Sequence, residues 1–333
     1  MRPATTDDVR DLLESSIAAV ALGAAFETGL FQRLAERAES AAEIAEALKI
    51  PLGRCRCWLE YLATLGLLER DEGAYAPSAT ARSAILDAYG LDVWAQLAIE
   101  ARGRLPVLTN LPEHLREPGS VWAKLGLTPP QYVDQMKENP ERARRFTRML
   151  YELHQDLAEE VAEILDTIGA ERMMDLGGGS GVMSLALLRR NPQLKSVIVD
   201  IENVCAAGRE IVAEHPEGER ITYHAADLVR DELPGAFDLV LECDVNVYGE
   251  EVIGKLHAAL KPGGRLVIVD YFAPAKDIAH PSRVHWAFVN SLRDPDCSYT
   301  TADDVRAQLT RVGFHVSRRH PLSDGTLLIE ASR

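Results

Sequence analysis

The stretch MMDLGGGSG, residues 173–181, joins a short apolar run to the helical pattern VMSLALLRR. Glycine has no Cβ, so the backbone can turn sharply here and lie close to a ligand. The helix that follows offers free N–H groups to an anionic group. A dinucleotide-binding loop needs the pattern G-x-G-x-x-G, and its last position is Val182 here. The chain instead reads Asp-x-Gly-x-Gly-x-Gly from Asp175 to Gly181, which favours another kind of nucleotide-binding turn.

Downstream of this loop, short apolar runs alternate with helical patterns. The runs are LKSVIVD, ITYHAAD, FDLVLECDV, GRLVIVDYF and TLLIEAS. Such alternation predicts a mostly parallel sheet that is covered by helices on both faces. Asp200 ends the second strand and Asp227 ends the third, so both are expected at the edge of the sheet where a nucleotide binds. The first carboxylate can accept both ribose hydroxyls, and the second, or its neighbouring backbone, can meet an adenine edge.

The first hundred residues follow a different pattern. Residues 7–37 read as helical, a short helix follows Ser40, and a second helix precedes a hairpin around residues 71–73. Two helices followed by a hairpin predict a winged helix. Residues 1–100 hold 9 Lys or Arg and 16 Asp or Glu, so their balance of −7 disfavours DNA binding. We therefore expect this region to serve packing or dimerisation.

The whole chain is acidic, with a formal net charge of −15 at pH 7. This charge repels phosphate backbones and anionic lipids, so the expected partner is a small molecule and neither nucleic acid nor a membrane. The N-terminal residues are polar and no run of about eighteen apolar residues occurs, so a cytoplasmic protein is expected. We expect no metal site, because His285 and Asp270 have no third ligand at a recognisable spacing.

Taken together in this order, the motifs resemble those of the S-adenosylmethionine-dependent small-molecule O-methyltransferases, the family of the caffeate and hydroxyindole enzymes. The resemblance implies a Rossmann-like, seven-stranded methyltransferase domain with a winged-helix dimerisation domain, in a homodimer. The expected boundaries are 1–95 for dimerisation, 96–160 for linking helices that contribute to the acceptor pocket, and 161–333 for cofactor binding.

The resemblance also assigns residues to the cofactor, S-adenosylmethionine, whose product is S-adenosylhomocysteine. The glycine loop takes the methionine part, Asp200 the ribose, and Asp227 with Leu228 the adenine. The complete expected set is Asp175, Gly177, Gly178, Gly179, Gly181, Asp200, Ile201, Asp227, Leu228, Glu242 and Cys243.

A second set is expected to face the methyl acceptor. The segment FTRM resembles the family's helix that places an aromatic residue and a methionine over the methyl centre, which implies this role for Phe146 and Met149. Asn246, Trp286 and Asn290 are expected to line the pocket. Each of these residues has an alternative reading as an ordinary core or surface residue.

The chain departs from the family pattern mainly at the position of the general base. Family members commonly carry a histidine after the fourth strand, and Val247 stands there in this chain. His285 is the candidate base and Tyr248 the candidate for orienting the acceptor, with His154 as a further histidine to consider. A tyrosine with a later histidine also resembles the bacteriochlorophyllide C-20 methyltransferase, which methylates carbon.

The sequence thus favours methylation of a small aromatic or polyketide-like hydroxyl in secondary or pigment metabolism. Carbon methylation is one alternative. Another is a cofactor-binding member of the family that does chemistry other than methylation. A DNA-binding regulator and a nicotinamide dehydrogenase are the remaining alternatives.

Overall fold

The computed structural model describes residues 3–127, 132–272, 281–295 and 300–333; side chains at residues 281–283 and 286 are outside this description. The chain divides into two compact units, Met1–Thr109 and Asn110–Arg333. Among the described residues, no helix has the length and apolar character needed to cross a membrane.

The N-terminal unit contains mainly helices. They are α1 (Thr6–Glu27), α2 (Leu30–Glu36), α3 (Ala41–Leu48), α4 (Leu52–Thr64), α5 (Ala79–Ala81), α6 (Leu91–Gly103) and α7 (Leu105–Leu108), with a π-helical turn at Arg82–Leu86. A small antiparallel sheet accompanies them, in the order β1 (Glu39–Ser40), β3 (Ala74–Pro77), β2 (Leu68–Asp71). The expected pair of helices followed by a hairpin is therefore present.

The single helix expected over residues 7–37 is divided in two. Gly29 has a left-handed backbone, with φ +77°, and this conformation ends the first helix before α2 begins. The predicted capping box at the start of α3 is present, because the backbone N–H of Glu43 donates to the Ser40 hydroxyl and the Glu43 carboxylate accepts from the Ser40 backbone.

One side of α1 is apolar and exposed. The side chains of Val9, Leu12, Leu13, Ile17 and Val20 are 47–76% exposed in the single chain. Their spacing places them along one stripe of the helix. A contiguous apolar stripe of this kind marks an interaction surface.

The C-terminal unit contains a seven-stranded sheet and its covering helices. The strands are β4 (Arg172–Leu176), β5 (Lys195–Asp200), β6 (Ile221–Ala225), β7 (Phe237–Cys243), β8 (Leu260–Asp270), β9 (His315–Pro321) and β10 (Leu327–Ser332). The helices are α8 (Leu111–His114), α9 (Val121–Lys124), α10 (Tyr132–Glu138), α11 (Pro140–Leu153), α12 (Gln155–Ile164), α13 (Val182–Arg190), α14 (Glu202–Val212), α15 (Glu250–Ala259), α16 (Pro281–Ser291) and α17 (Ala302–Val312), with a 3₁₀ turn at Pro216–Arg220.

The strand order is β6-β5-β4-β7-β8-β10-β9, and the first five of these strands are parallel. The order reverses beside β4, which is the position where open α/β sheets bind ligands at the carboxyl ends of their strands. Apolar residues of the sheet form two cores, one on each face. The expected mostly parallel sheet with helices on both faces is confirmed.

Strand β10 runs antiparallel to both of its neighbours, β8 and β9. Leu327, the first residue of β10, pairs with Asp270, the last residue of β8. The turn between β9 and β10 therefore lies at the same edge of the sheet as the carboxyl ends of the parallel strands.

Candidate active site

A cavity of about 390 Å³ opens at the carboxyl edge of the sheet. It is lined by the glycine loop after β4, by the ends of β5 and β7, by the segment after β6, and by α10 and α11. Most of its lining is apolar, which is usual for a small-molecule site whose few polar groups fix orientation.

The glycine loop lies directly against its neighbours. Gly177 has φ +67°, and a Cβ at this position would come within 2.6 Å of a Val245 methyl group. Gly177, Gly178 and Gly179 all line the cavity. Gly181 does not, since its added Cβ would instead meet the side chain of Val212 at 2.6 Å. Its glycine is needed for packing and for the left-handed start of α13.

Asp175 presents a buried carboxyl group at the floor of the cavity. One of its oxygens accepts a 2.6 Å hydrogen bond from the Ser184 hydroxyl, which is itself 2.8 Å from the Ser196 hydroxyl. The other oxygen, Oδ1, is buried and has no partner in the described chain. Burial raises the pKa of this carboxyl to about 6, although the Ser184 hydrogen bond opposes the shift. A polar ligand in the cavity could satisfy the remaining oxygen.

Asp200 joins the end of β5 to the glycine loop. Its carboxylate accepts from the backbone N–H groups of Gly179, at 3.1 Å, and Ile201, at 2.7 Å. Burial raises its pKa to about 6, and these two N–H groups act in the opposite direction. Asp200 and Ile201 both line the cavity, and the ribose-binding role expected of Asp200 stays a prediction.

Asp227 and Leu228 line the cavity beyond β6. The Asp227 carboxylate is already engaged, because Lys137 of α10 donates to it at 3.0 Å and the backbone N–H of Val229 donates at 3.2 Å. The hydrogen bond from Lys137 is the largest cause that lowers the pKa of Asp227. An adenine contact at this place would therefore fall more naturally to the backbone and Leu228 than to the paired carboxylate.

Helix α11 and the residue that caps its C-terminal end, His154, contribute one stripe of side chains to the cavity. Phe146, Leu150 and His154 follow at intervals of four residues, and all three line it. Met149 is buried in the core and is not among the lining residues. The sequence motif pointed to a spacing of three, whereas the helix brings the residue four positions after Phe146 to the cavity.

The segment after β7 forms another wall. Cys243, Asp244, Val245 and Val247 line the cavity, so the position expected to lack the family histidine does face the site. Asn246 has φ +59°, and its side-chain amide donates to Asp244 at 3.2 Å. Asn246 itself is exposed and does not line the cavity.

Two candidate residues of this region lie behind the wall. The Tyr248 hydroxyl donates to the buried carboxyl of Asp270, and the tyrosine ring packs on Phe272 at 5.7 Å. Glu242 is 1% exposed, and burial, followed by the charge of Asp270, raises its pKa to about 8. Neither Tyr248 nor Glu242 lines the cavity, so both are placed to support the wall.

The candidate residues of α16 whose side chains are described do not line the cavity. His285 has an exposed side chain and Asn290 is half-buried; neither belongs to the lining. The side chain of Trp286 lies outside the described residues. The roles expected of these three residues stay predictions.

Two family models match this chain. The O-methyltransferase domain covers residues 110–315, and the O-methyltransferase dimerisation domain covers residues 10–86. The chain belongs to the O-methyltransferase family. It is a methyltransferase that depends on S-adenosylmethionine, and the recognised resemblance, the fold class and the cofactor expected from the sequence are confirmed.

Several named relatives resemble the methyltransferase. It is 28% identical to the N,N-dimethyltransferase OxyT of Streptomyces rimosus, over 92% of this chain and 91% of OxyT. It is 33% identical to the 3-hydroxy-5-methyl-1-naphthoate 3-O-methyltransferase of Streptomyces sahachiroi, over 66% of this chain and 62% of that enzyme. The solved structure of PigF with SAH has the same fold, with a TM-score of 0.84, 21% identity, and coverage of 99% of this chain and 100% of PigF.

The cavity of this methyltransferase fits its cofactor. S-adenosylmethionine supplies a methyl group that its sulfonium makes electrophilic. Asp200 offers carboxylate oxygens of the kind that bind ribose hydroxyls, and the unpartnered oxygen of Asp175 lies beside the glycine loop, where the donors of an amino acid moiety could reach it. Nothing in the lining requires a metal, and the described ranges hold no group of three or more His, Cys, Asp or Glu that could bind one.

Several lining residues of the methyltransferase were missed by sequence reasoning. They are Tyr132, Val133, Thr147, Leu150, Met183, Asp244 and Val245. Thr147 stands out because its hydroxyl is buried without a partner in the described chain. Counting in steps of four from Phe146 would have identified Leu150 and favoured His154. The residues of α10 carry no comparable signal.

Proposed function

We propose that this methyltransferase transfers a methyl group to a hydroxyl of a small aromatic or polyketide-like molecule in secondary or pigment metabolism, and that it does so in the cytoplasm. The observation that carries this proposal is a single cavity that joins the glycine loop and Asp200 to the apolar stripe of α11. The carboxylates suit a nucleoside, and the stripe suits a flat apolar acceptor. The naphthoate O-methyltransferase among the relatives supports an aromatic hydroxyl as the acceptor class.

The cofactor residues proposed are those of the glycine loop with Asp175, Asp200, Ile201, Asp227, Leu228 and Cys243. Holding both substrates in line is worth about 7–11 kcal/mol of the barrier when the orientation is ideal. The apolar walls exclude water from the reacting groups, which favours a reaction that neutralises a positive charge.

Ligand binding and product analysis test the function. S-adenosylhomocysteine should raise the melting temperature, and NADH should leave it unchanged. Labelled S-adenosylmethionine should then transfer its methyl group to members of a panel of phenols, enols, arylamines and tetrapyrroles. Oxygen-linked product on a phenol or enol supports the proposal. Label on nitrogen or carbon alone, or a product without the label, would contradict the hydroxyl assignment.

Carbon methylation has less support in this chain. The arrangement that suggested it needs Tyr248 and His285 near the acceptor, but the Tyr248 hydroxyl is engaged by Asp270 and the His285 side chain is outside the cavity lining. The same panel distinguishes carbon products from oxygen products.

We also propose that the enzyme is a homodimer through its N-terminal unit, whose winged-helix arrangement serves packing and not DNA binding. The match to the dimerisation model and the exposed apolar stripe of α1 support this assembly. Leu13→Glu should shift the protein toward monomer in light scattering after size exclusion, while Arg10→Glu on the same helix should not. An unchanged mass for Leu13→Glu would argue against α1 as the dimer surface.

A further inference from the structure

The geometry points to His154 as the catalytic base that removes the proton from the acceptor hydroxyl. This inference rests on the proposed hydroxyl acceptor. It deepens that function by giving the base role to a different histidine from the one the sequence motif favoured.

The position of His154 along the cavity is the first argument. Phe146 packs against the apolar cluster that contains Ile201, the residue after Asp200, and the centre of its ring is 5.8 Å from that of Tyr132. His154 comes eight residues later on the same stripe, which is about 12 Å along the helix axis. We call the region of Asp200 and Asp227 the aspartate end of the cavity, and the region of Leu150 and His154 the histidine end.

The groups that face His154 define the histidine end electrostatically. The backbone of Leu150, one turn earlier, and the negative charge of Asp324, in the β9–β10 turn, both favour the charged form of the ring. The charge of Asp324 also acts on Cys243 and Asp244, which line the same cavity. These groups converge from three elements that are distant in sequence.

The protonation state of His154 suits a base. Burial is the largest influence and lowers the pKa of the imidazole below its ordinary 6.5, against the opposing effects of Asp324 and the Leu150 backbone. The ring is consequently neutral at pH 7 and has one nitrogen able to accept a proton.

Asp324 is placed to stabilise the charge that forms on the histidine. Its carboxylate accepts from the backbone N–H of Thr326 at 2.8 Å and from the Thr326 hydroxyl at 2.7 Å, and its other oxygen accepts from the Tyr271 hydroxyl at 3.3 Å. These bonds hold the carboxylate in place. Asp324 is a positioning residue that acts through His154.

The proton and electron balance of the step is simple. The hydroxyl proton moves to the free ring nitrogen of His154 while the acceptor oxygen bonds to the methyl carbon, whose bond to sulfur breaks with the electron pair staying on sulfur. The imidazolium then releases its proton to water, which returns the neutral ring. No oxidant or reductant is needed.

Turnover is the first test. His154→Gln keeps the size and polarity of the side chain but cannot accept the proton, so turnover should fall about 10²–10⁴-fold. Affinity for S-adenosylhomocysteine, measured by calorimetry, should stay within about threefold. His315→Gln, at an exposed histidine of β9, is the matched control and should keep full turnover. His285→Gln is the competing variant, and a large loss there with full turnover in His154→Gln would overturn the proposal.

A series of acceptors separates a base from a purely structural residue. With 2-naphthol and ring-substituted naphthols of increasing acidity as probes, the loss in His154→Gln should shrink as the naphthol becomes ionised in solution. A loss that is equal for all probes would overturn the base role, because misplacement of the acceptor does not depend on its acidity.

A measurement on the protein without an acceptor completes the test. In the wild-type complex with S-adenosylhomocysteine, the ring signal that disappears in His154→Gln should titrate below pH 6.5 by NMR, and Asp324→Asn should move it lower still. A midpoint at or above 6.5, or no response to Asp324→Asn, would overturn the proposal even if no naphthol is methylated. If S-adenosylhomocysteine does not bind the wild type, the proposed function fails instead.

Discussion

The two ends of the cavity are built in different ways. At the aspartate end, the carboxylate of Asp200 is fixed by two backbone N–H groups and lies at the end of a buried strand. At the histidine end, the cavity is completed by side chains of α11, by the segment after β7 and by the charge of a turn near the end of the chain. The first end depends on the sheet, and the second depends on how separate elements pack against it.

The way each end is built determines which substrate it suits. A residue at a strand end keeps its place as long as the sheet forms, so the aspartate end suits the cofactor that is common to the family. A helix stripe changes with single substitutions, so the histidine end suits the acceptor. Variants at the two ends should therefore affect different measured quantities.

The largest effect on cofactor affinity is expected at the aspartate end. Asp200→Ala removes an acceptor proposed to bind two ribose hydroxyls, and should weaken binding of S-adenosylhomocysteine by about 3 kcal/mol, more than 100-fold. Calorimetry measures the affinity, and circular dichroism should show that the protein remains folded. Unchanged affinity would remove the ribose assignment and, with it, the contrast between the ends.

A pair of variants on α11 tests which of two adjacent residues faces the site. Met149→Ala empties a buried position and should lower the free energy of unfolding by about 2–3 kcal/mol, with little change in acceptor KM. Leu150→Ala widens the cavity and should raise acceptor KM at a smaller cost in stability. Denaturant unfolding and steady-state kinetics measure the two effects. The reverse pattern would restore Met149 as the methyl-facing residue.

Glu242, which lies behind the cavity wall formed by the segment after β7, should make the stability of the protein depend on pH. The pKa of Glu242 in the folded protein, about 8, lies above its ordinary value of 4.5, so ionisation is more costly in the folded state. Its contribution is therefore most favourable at low pH, and the free energy of unfolding falls as pH rises from about 4.5 to about 8.

Between pH 6 and pH 8, the free energy of unfolding should fall by about 2 kcal/mol less in Glu242→Gln than in the wild type. Urea unfolding of both proteins at the two pH values measures the difference. Glu251→Gln, at an exposed position of α15, is the control and should leave the wild-type slope. An identical slope in Glu242→Gln and wild type would show that Glu242 does not titrate as a buried group.

The smallest effect is expected at the ion pair that crosses the aspartate end. Lys137 is 44% exposed, and partly exposed pairs contribute less than about 1 kcal/mol. Lys137→Met should therefore change the rate of S-adenosylhomocysteine release, measured by stopped flow, by less than about fivefold. A change of 100-fold would mean that α10 holds the cofactor far more firmly than the pair suggests.

The aspartate end could be predicted from the sequence because periodicity fixes where strands end. Asp200 and Asp227 were assigned by that rule, and both line the cavity. Gly181 and Glu242 belong to the same motifs, but neither lines the cavity: Gly181 packs near Val212, and Glu242 lies behind the cavity wall. A motif locates a residue along the chain, and the direction of its side chain depends on neighbours such as Val212 that no local pattern reveals.

The histidine end could not be predicted in the same way. Helical spacing from Phe146 favours His154 as a lining residue, but Asp324 is 170 positions away in the sequence, and no local pattern connects the two. The FTRM motif drew attention to a spacing of three, but the face of α11 that packs over the cavity follows a spacing of four. The helix break at Gly29 was likewise invisible to hydrophobic periodicity, since both flanking segments keep a helical pattern.

The reversed direction of β10 has a practical consequence. Because β10 runs antiparallel to β8, the turn near Asp324 lies beside the histidine end, while the nucleotide motifs lie on other strands. No residue of this turn is among the described residues that line the cavity, so its influence on the site passes through the charge of Asp324 on His154. We therefore expect changes of turn length to alter the proposed base while Asp200 and the glycine loop, which lie on other strands, keep their places.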